Sequence, residues 1–354
     1  MYESDKLELW NITPGVPALV NAQKIFNIVG RIKSPDTTKQ FLYSLNGGPE
    51  KHVFFNRGPG RTGRLQYPGD FNIDTINERD LQPINKIVLK VFNDKKTVSV
   101  EEVCFAVDRH TGAEPRFALN LEKVDHAHQV GQVVDGNWKV TCDPSGKPCL
   151  EIPREESGLD RIILFGRHDW TTGYTVSAKL AVTAWTRTPY NVGLVFKWNE
   201  HLQGDGTYLP KQWSTGLGYF SSYDRGLRIR FGVDVHIDDL GNKVGDYVLR
   251  DGHLSALRYW GKRFLESRWT RPIPRRLLPF DFPFTEIASE RTYTFKMHVH
   301  PTRYALTVWQ SSKKEPRPLL EVAHPLEHLP RGSVGIIAYN CAVRVYSFNV
   351  EPDP

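Results

Sequence analysis

Two stretches of the chain alternate charged or imidazole side chains with large apolar ones, and a third sets a lysine beside two aromatics. In GLRIRFGVDV (226–235), Arg228 and Arg230 alternate with Leu227, Ile229 and Phe231. In TYTFKMHVH (292–300), Lys296, His298 and His300 alternate with Phe295, Met297 and Val299, and in NVGLVFKW (191–198) Lys197 stands between Phe196 and Trp198. Residues two apart on a strand share a face, so each stretch predicts one side on a core and one side carrying charge. Ammonium, guanidinium and imidazole groups gathered on one surface suit an anionic ligand such as a uronate or a sulfated saccharide. On such a surface His298 or His300 could also take a proton while a cation neutralises a carboxylate. Trp198 and Trp309 would add stacking surfaces for sugar rings, although Trp198 shares parity with the apolar Phe196. A solvated sheet face with no ligand has the same pattern, and spacing alone leaves both readings open.

Other constellations carry alternatives of their own. Asp238 and Asp239, with Asp234 just before them in DVHIDDLGN, could supply carboxylates and loop carbonyls to calcium, or form a solvated turn. No other cofactor is indicated. His126 and His128 (DHAHQ) would share a strand face and could hold a metal, yet no third ligand stands at a fitting spacing, which favours two solvated linker histidines. In Arg167-His168-Asp169-Trp170 the adjacent His and Asp point apart on a strand, which argues against a dyad; Trp170 reads as a packing residue. Cys142 and Cys149 flank the turn-forming DPSGKP, so a hairpin could face them and permit a disulfide, a mark of an oxidising compartment. Cys104 and Cys341 sit inside apolar strands and read as buried thiols. Between Arg258 and Arg276 there are seven basic residues and one acid, Glu266, a composition fit for an anion-binding lid or a solvated cap. A nucleic-acid partner is not supported, because no DNA- or RNA-binding motif accompanies that charge.

Strands must position these residues. The longest is predicted from Tyr174, where Tyr174, Val176, Ala178, Leu180, Val182 and Ala184 alternate with Thr175, Ser177, Lys179 and Thr183. Aromatics at 12%, nine Trp, 28 Gly and 24 Pro in 354 residues favour short strands and turns over helices. No apolar run approaches the length of a membrane span. Residues 1–20 lack a charged start with an apolar core behind it, so they do not read as a leader; the chain is then either cytoplasmic or an extracellular mature form. Strands from Lys24 to Asp108, separated by turns at 34–36, 46–48 and 93–94, predict a first β-sandwich over 1–110 with an extended lead-in. Polar residues 111–135 read as a linker, and strands from 136 to 354 as a second sandwich.

Two resemblances refine this. Tyr43–Gly48 (YSLNGG), Gly69–Phe71 (GDF) and Phe92–Asp94 resemble the strand, loop and turn of bacterial Ig-like modules over residues 16–108. DRIILFG (160–166), Trp170, Tyr174, Arg291–Phe295, Val308–Trp309 and Gly332–Tyr339 resemble the concanavalin A-like lectin/glucanase superfamily, near its laminin G-like branches, over 136–352. The second resemblance implies a jelly roll of two antiparallel sheets, one concave. The retaining glucanases of that superfamily carry paired carboxylates alternating on one strand, and this chain has no such array. The expectation is therefore an all-β, two-domain protein: an Ig-like sandwich, then a concanavalin A-like jelly roll that binds an anionic saccharide without catalysis. A polysaccharide lyase using the same groove is the alternative, and a biosynthetic enzyme with a small molecule in a β-sandwich cleft is a third.

Overall fold

The structure is a computed structural model that describes residues 2–21, 25–58, 64–94, 98–109, 116–166, 170, 173–201, 212–222, 226–235, 250–255, 287–318, 320–323 and 332–353. These residues are all-β, with only short 3-10 turns between strands. No helix among them is long and apolar enough to cross a membrane.

The N-terminal strands are β1 (Tyr2–Glu3), β2 (Leu7–Leu9), β3 (Ala18–Leu19), β4 (Ile25–Ile32), β5 (Thr38–Leu45), β6 (Lys51–His52), β7 (Asp70–Asn77), β8 (Ile84–Asn93) and β9 (Val98–Asp108). They form a four-stranded sheet, β1-β2-β4-β7, and a five-stranded sheet, β3-β9-β8-β5-β6. Alternate residues such as Phe26, Ile28, Phe41, Tyr43, Ile87, Leu89, Val103 and Phe105 fill the space between them. Period-2 apolar patterning has one stable outcome here, two sheets face to face with their polar sides out.

The C-terminal strands are β10 (Phe117–Ala118), β11 (Gly131–Asp135), β12 (Lys139–Cys142), β13 (Pro148–Ile152), β14 (Arg161–Phe165), β15 (Tyr174–Trp185), β16 (Asn191–His201) and β17 (Gln212–Ser221). After them come β18 (Gly226–Val235), β19 (Arg250–Ser255), β20 (Thr292–His300), β21 (Arg303–Gln310), β22 (Leu320–Ala323), β23 (Ser333–Tyr339) and β24 (Cys341–Pro352). An eight-stranded sheet runs β12-β13-β24-β15-β20-β21-β22, with β10 added on β24, and a seven-stranded sheet runs β11-β14-β23-β16-β17-β18-β19. The pair makes a sandwich of the jelly-roll kind. Its core takes Val176, Ala178, Leu180, Phe295, Met297 and Val299 from the first sheet and Val192, Leu194, Phe196, Ile229 and Ile336 from the second.

The long strand predicted from Tyr174 is β15, flanked by β24 and β20. The stretch expected as a linker differs from the expectation. It contributes β10, β11 and a 3-10 turn at Ala127–Gln129, because Val133, Ala127 and the side chain of Phe117 have core to pack against.

Candidate functional site

The face of the eight-stranded sheet turned away from the core gathers the polar side chains of three neighbouring strands. Register pairs Thr175 with His298, Ser177 with Lys296 and Lys179 with Thr294 between β15 and β20. On the next strand Lys296 stands opposite Thr307 and Thr294 opposite Trp309. Phe295, Met297 and Val299 are fully buried while Thr294, Lys296 and His298 are half-buried, so the parity expected from the sequence holds along β20. Trp309 is also half-buried, in a field of hydroxyl and ammonium groups; the short Ala305 and Thr307 between them are almost fully buried.

The electrostatics of this face are mixed rather than uniformly basic. Lys296 Nζ lies 2.9 Å from Glu315 Oε1, with side-chain exposures of 26% and 44%. Arg344 on β24 is held by Glu151 at 2.9 Å and Glu290 at 3.5 Å. Lys179 has no ion-pair partner among the described residues. At one end the Thr175 hydroxyl donates to Asp353 Oδ1 at 3.4 Å and lies 2.8 Å from His298 Nδ1. In that arrangement Nδ1–H donates to Thr175 and Nε2 keeps its lone pair. Burial, and then the charge of Lys296, push the His298 pKa below its ordinary value, so the ring is neutral at pH 7. His300 is exposed at the strand end, its Nδ1 2.9 Å from Thr302 Oγ1.

The structure separates the other expected site residues from these. β18, which carries Arg228 and Arg230, belongs to the seven-stranded sheet, and β20 to the eight-stranded one. A single groove with the two arginines beside His298 and His300 is therefore not formed by neighbouring strands; the side chains of Arg228 and Arg230 lie outside the described residues. Lys197 and Trp198 do not face the polar side. The register of β16 shifts between Val195 and Trp198, and Lys197 takes a left-handed backbone with φ 50°. That bulge inverts the parity. Lys197 is 5% exposed with Nζ 5.9 Å from the Tyr304 ring, and desolvation lowers its pKa. Trp198 is fully buried with Val195, Leu217, Tyr219 and Ile337 on the opposite face. Gly332 accepts this distortion, since a Cβ there would stand 2.4 Å from the Lys197 carbonyl carbon.

The remaining candidates fall as follows. Cys142 and Cys149 are free thiols: Thr141 pairs with Cys149 and Cys142 with Pro148, so the two sulfurs lie on opposite sides of the ribbon. Cys104 is exposed rather than buried, because its parity on β9 opposes that of Val103 and Phe105. His126 caps the 3-10 turn Ala127–Gln129, with its ring parallel to that of His128 at 5.2 Å; His128 is buried rather than solvated, because the turn replaces the expected strand and packs its side chain inward, and no group of three metal-ligating side chains occurs among the described residues. Asp238, Asp239, His168, Asp169 and nearly all of the basic segment 254–284 lie outside the described residues.

No family model matches the chain, and no curated protein matches it. Solved structures do. Sheep galectin-11 in complex with glycerol is 10% identical, covering 56% of this chain and 98% of its own, at a TM-score of 0.26. The VIP36 exoplasmic/lumenal domain, Ca2+/Man3GlcNAc-bound, is 7% identical over 62% of this chain and 84% of its own, at 0.34. The alginate lyase from Klebsiella pneumoniae is 10% identical over 60% and 84%, at 0.30. The neighbours thus include lectins and a carbohydrate-active enzyme, and at these values the likeness carries no argument about ligand or activity.

A second polar cluster, which residue spacing does not announce, joins the two sandwiches. Arg64, with 1% of its side chain exposed, pairs with Asp74 and reaches Asp135 at 3.2 Å. Asn72 donates to the Val134 carbonyl at 2.7 Å and to Asp135 at 2.8 Å, and Arg161 donates to the Arg64 carbonyl at 3.2 Å. Arg31 bridges Asp70 and Glu156, each at 2.8 Å. Burial raises the Asp135 carboxyl above its ordinary pKa while the Arg64 charge opposes that rise. Trp10, just after β2, and Val29 of β4 are members of the C-terminal core.

Proposed function

We propose that this chain recognises a saccharide on the outer face of the eight-stranded sheet, without transforming it, and that the N-terminal sandwich, an Ig-like module, holds that face in place. The observation that carries the reading is Trp309, a half-buried indole bordered by Thr294, Lys179 and Lys296. A sugar ring offers an apolar face to stack and a rim of hydroxyls, and this surface supplies the complement to both. Lys179, Lys296, His298 and His300 are the groups that would meet a carboxylate or sulfate on the ligand. A glycan array followed by titration is the test: acidic glycans are expected to bind, and Trp309→Ala to lose most of the binding. Retention of only neutral glycans removes the anionic part of the reading, and unchanged binding by Trp309→Ala removes the site.

A second reading, a polysaccharide lyase on the same face, is favoured by His298. Its neutral ring, fixed through Nδ1 by Thr175, leaves Nε2 to take a proton, with Lys296 close enough to neutralise a uronate. Accumulation of an ultraviolet-absorbing unsaturated product, abolished in His298→Gln, would establish it over simple binding.

A further inference from the structure

On the outer face of the eight-stranded sheet one row of side chains runs across the strands. The strand order is β24-β15-β20-β21. Register sets Trp309 opposite Thr294, Thr294 opposite Lys179, and Lys179 opposite Ser347. The row therefore starts at an indole and meets an ammonium two strands on. Beside Lys179 the register of β24 shifts: Lys179 pairs with Ser347 and Leu180 with Val345, which leaves Tyr346 as the extra residue of a bulge. Val345 and Phe348 are buried in the core, while Tyr346 and Ser347 are both half-buried. A bulge re-aims side chains in this way, and here it adds a second aromatic to the outer face next to Lys179. The Tyr346 hydroxyl donates to Asp143, and Lys147 Nζ stands 5.0 Å from the centre of its ring. Lys179 and Lys147 have no ion-pair partner among the described residues, whereas Lys296 is held by Glu315.

Building on the reading of this face as a saccharide site, we propose that its ligand is a repeating uronate chain lying across the strands from Trp309 to Tyr346, with the acid groups of successive residues on Lys179 and Lys147. Three inter-strand steps of about 4.8 Å set the two aromatics roughly 14 Å apart, the span of a trisaccharide. One sugar stacked on Trp309 does not reach Lys179, so the charge that Lys179 meets belongs to the next residue along. Lys147 over Tyr346 repeats the arrangement one step further. An ammonium without a carboxylate partner takes a ligand carboxylate without first giving up an ion pair, which ranks Lys179 above Lys296. Two such cations along one row favour a chain acidic at each residue over a glycan with a single terminal acid.

The test is calorimetric titration of the full chain with galacturonate and mannuronate, each as monomer, dimer, trimer and tetramer. Affinity for one series is expected to rise by about tenfold or more from monomer to trimer and then to level off. Lys179→Ala and Tyr346→Ala should each remove most of that gain and leave monomer binding as it was, with circular dichroism unchanged; Lys179→Arg should keep it. Equal affinity for monomer and trimer, with binding still lost in Trp309→Ala, overturns the trisaccharide span and leaves the site standing. A trimer weakened by Lys296→Ala and indifferent to Lys179→Ala lies along the strands and overturns it too. Trimer binding indifferent to Trp309→Ala, or no binding of either series, overturns the span together with the anionic site on which it rests.

Discussion

The Arg64 cluster and the Lys296 face use the same vocabulary of cations, carboxylates and amides, and differ in where water is. Arg64 and Asp135 have 1% and 3% of their side chains exposed; Lys296 and Glu315 have 26% and 44%. In the first setting every charge must be met by protein, so the groups are fixed and serve to lock two sandwiches together. In the second, water competes for each group, so the pairs add little stability and can be exchanged for a ligand. The contrast separates a structural polar cluster from an available one, a distinction that residue type does not make.

The sharpest way to break the contrast is Arg64→Met. It leaves Asp74 and Asp135 buried without their guanidinium, and the expected loss is about 3–5 kcal/mol by chemical denaturation of the full chain. A change below about 1 kcal/mol would show that water reaches the junction. Residues 130–354 expressed alone should suffer similarly, exposing Asp135, Arg161 and Glu156 together with the core surface that meets Trp10.

Next in size is a pH effect near the same junction. His128 is 2% exposed, and both of its ring nitrogens are buried without a hydrogen bond. Burial above all, with the charge of His126 adding to it, pushes its pKa down to about 3. The unfolded chain takes up a proton near pH 6.5 and the folded one does not, so stability is full above pH 6.5 and falls as pH drops towards 3. Between pH 7 and pH 5 the loss should be about 2 kcal/mol. His128→Leu should remove that slope; an identical slope in the variant would assign it to other groups.

On the open face the effects belong to binding. Trp309→Ala is expected to weaken saccharide binding by about tenfold or more, or ~1.4 kcal/mol, with a smaller effect on melting. Smallest of all is Lys296→Ala, which should change stability by about 0–1 kcal/mol. It should weaken an acidic ligand and reduce the salt dependence of binding. A large stability loss there would place Lys296 with Arg64 rather than apart from it.

How much of this the sequence foretold depends on the range of the interaction. Strand β20 was legible because nothing interrupts its alternation, and Lys296 and His298 lie on the face that parity assigns. Strand β16 was not, because a left-handed residue at Lys197 turns its side chain towards the core and moves Trp198 to the opposite, buried face, and no local signal marks a bulge at a lysine. The pairing of Arg228 and Arg230 with His298 failed on topology: parity assigns faces within a strand and does not say which sheet the strand enters. Arg64 lies in a Gly- and Arg-rich stretch with no apolar alternation to assign it a face. Its partner Asp135 is 71 residues away, a distance that no motif spans.

Strand β24 has a consequence for how the protein is made. It lies between β13 and β15, takes β10 as well, and follows all three in the chain. A ribosome therefore releases the middle of the eight-stranded sheet after every strand that needs it, while the nine strands of the N-terminal sandwich are already free to pair. Until Cys341–Pro352 emerges, β15 and β13 wait with open edges, the condition in which nascent strands find the wrong partners. Chaperone demand during synthesis should accordingly rise with the second sandwich and end with its closing strand.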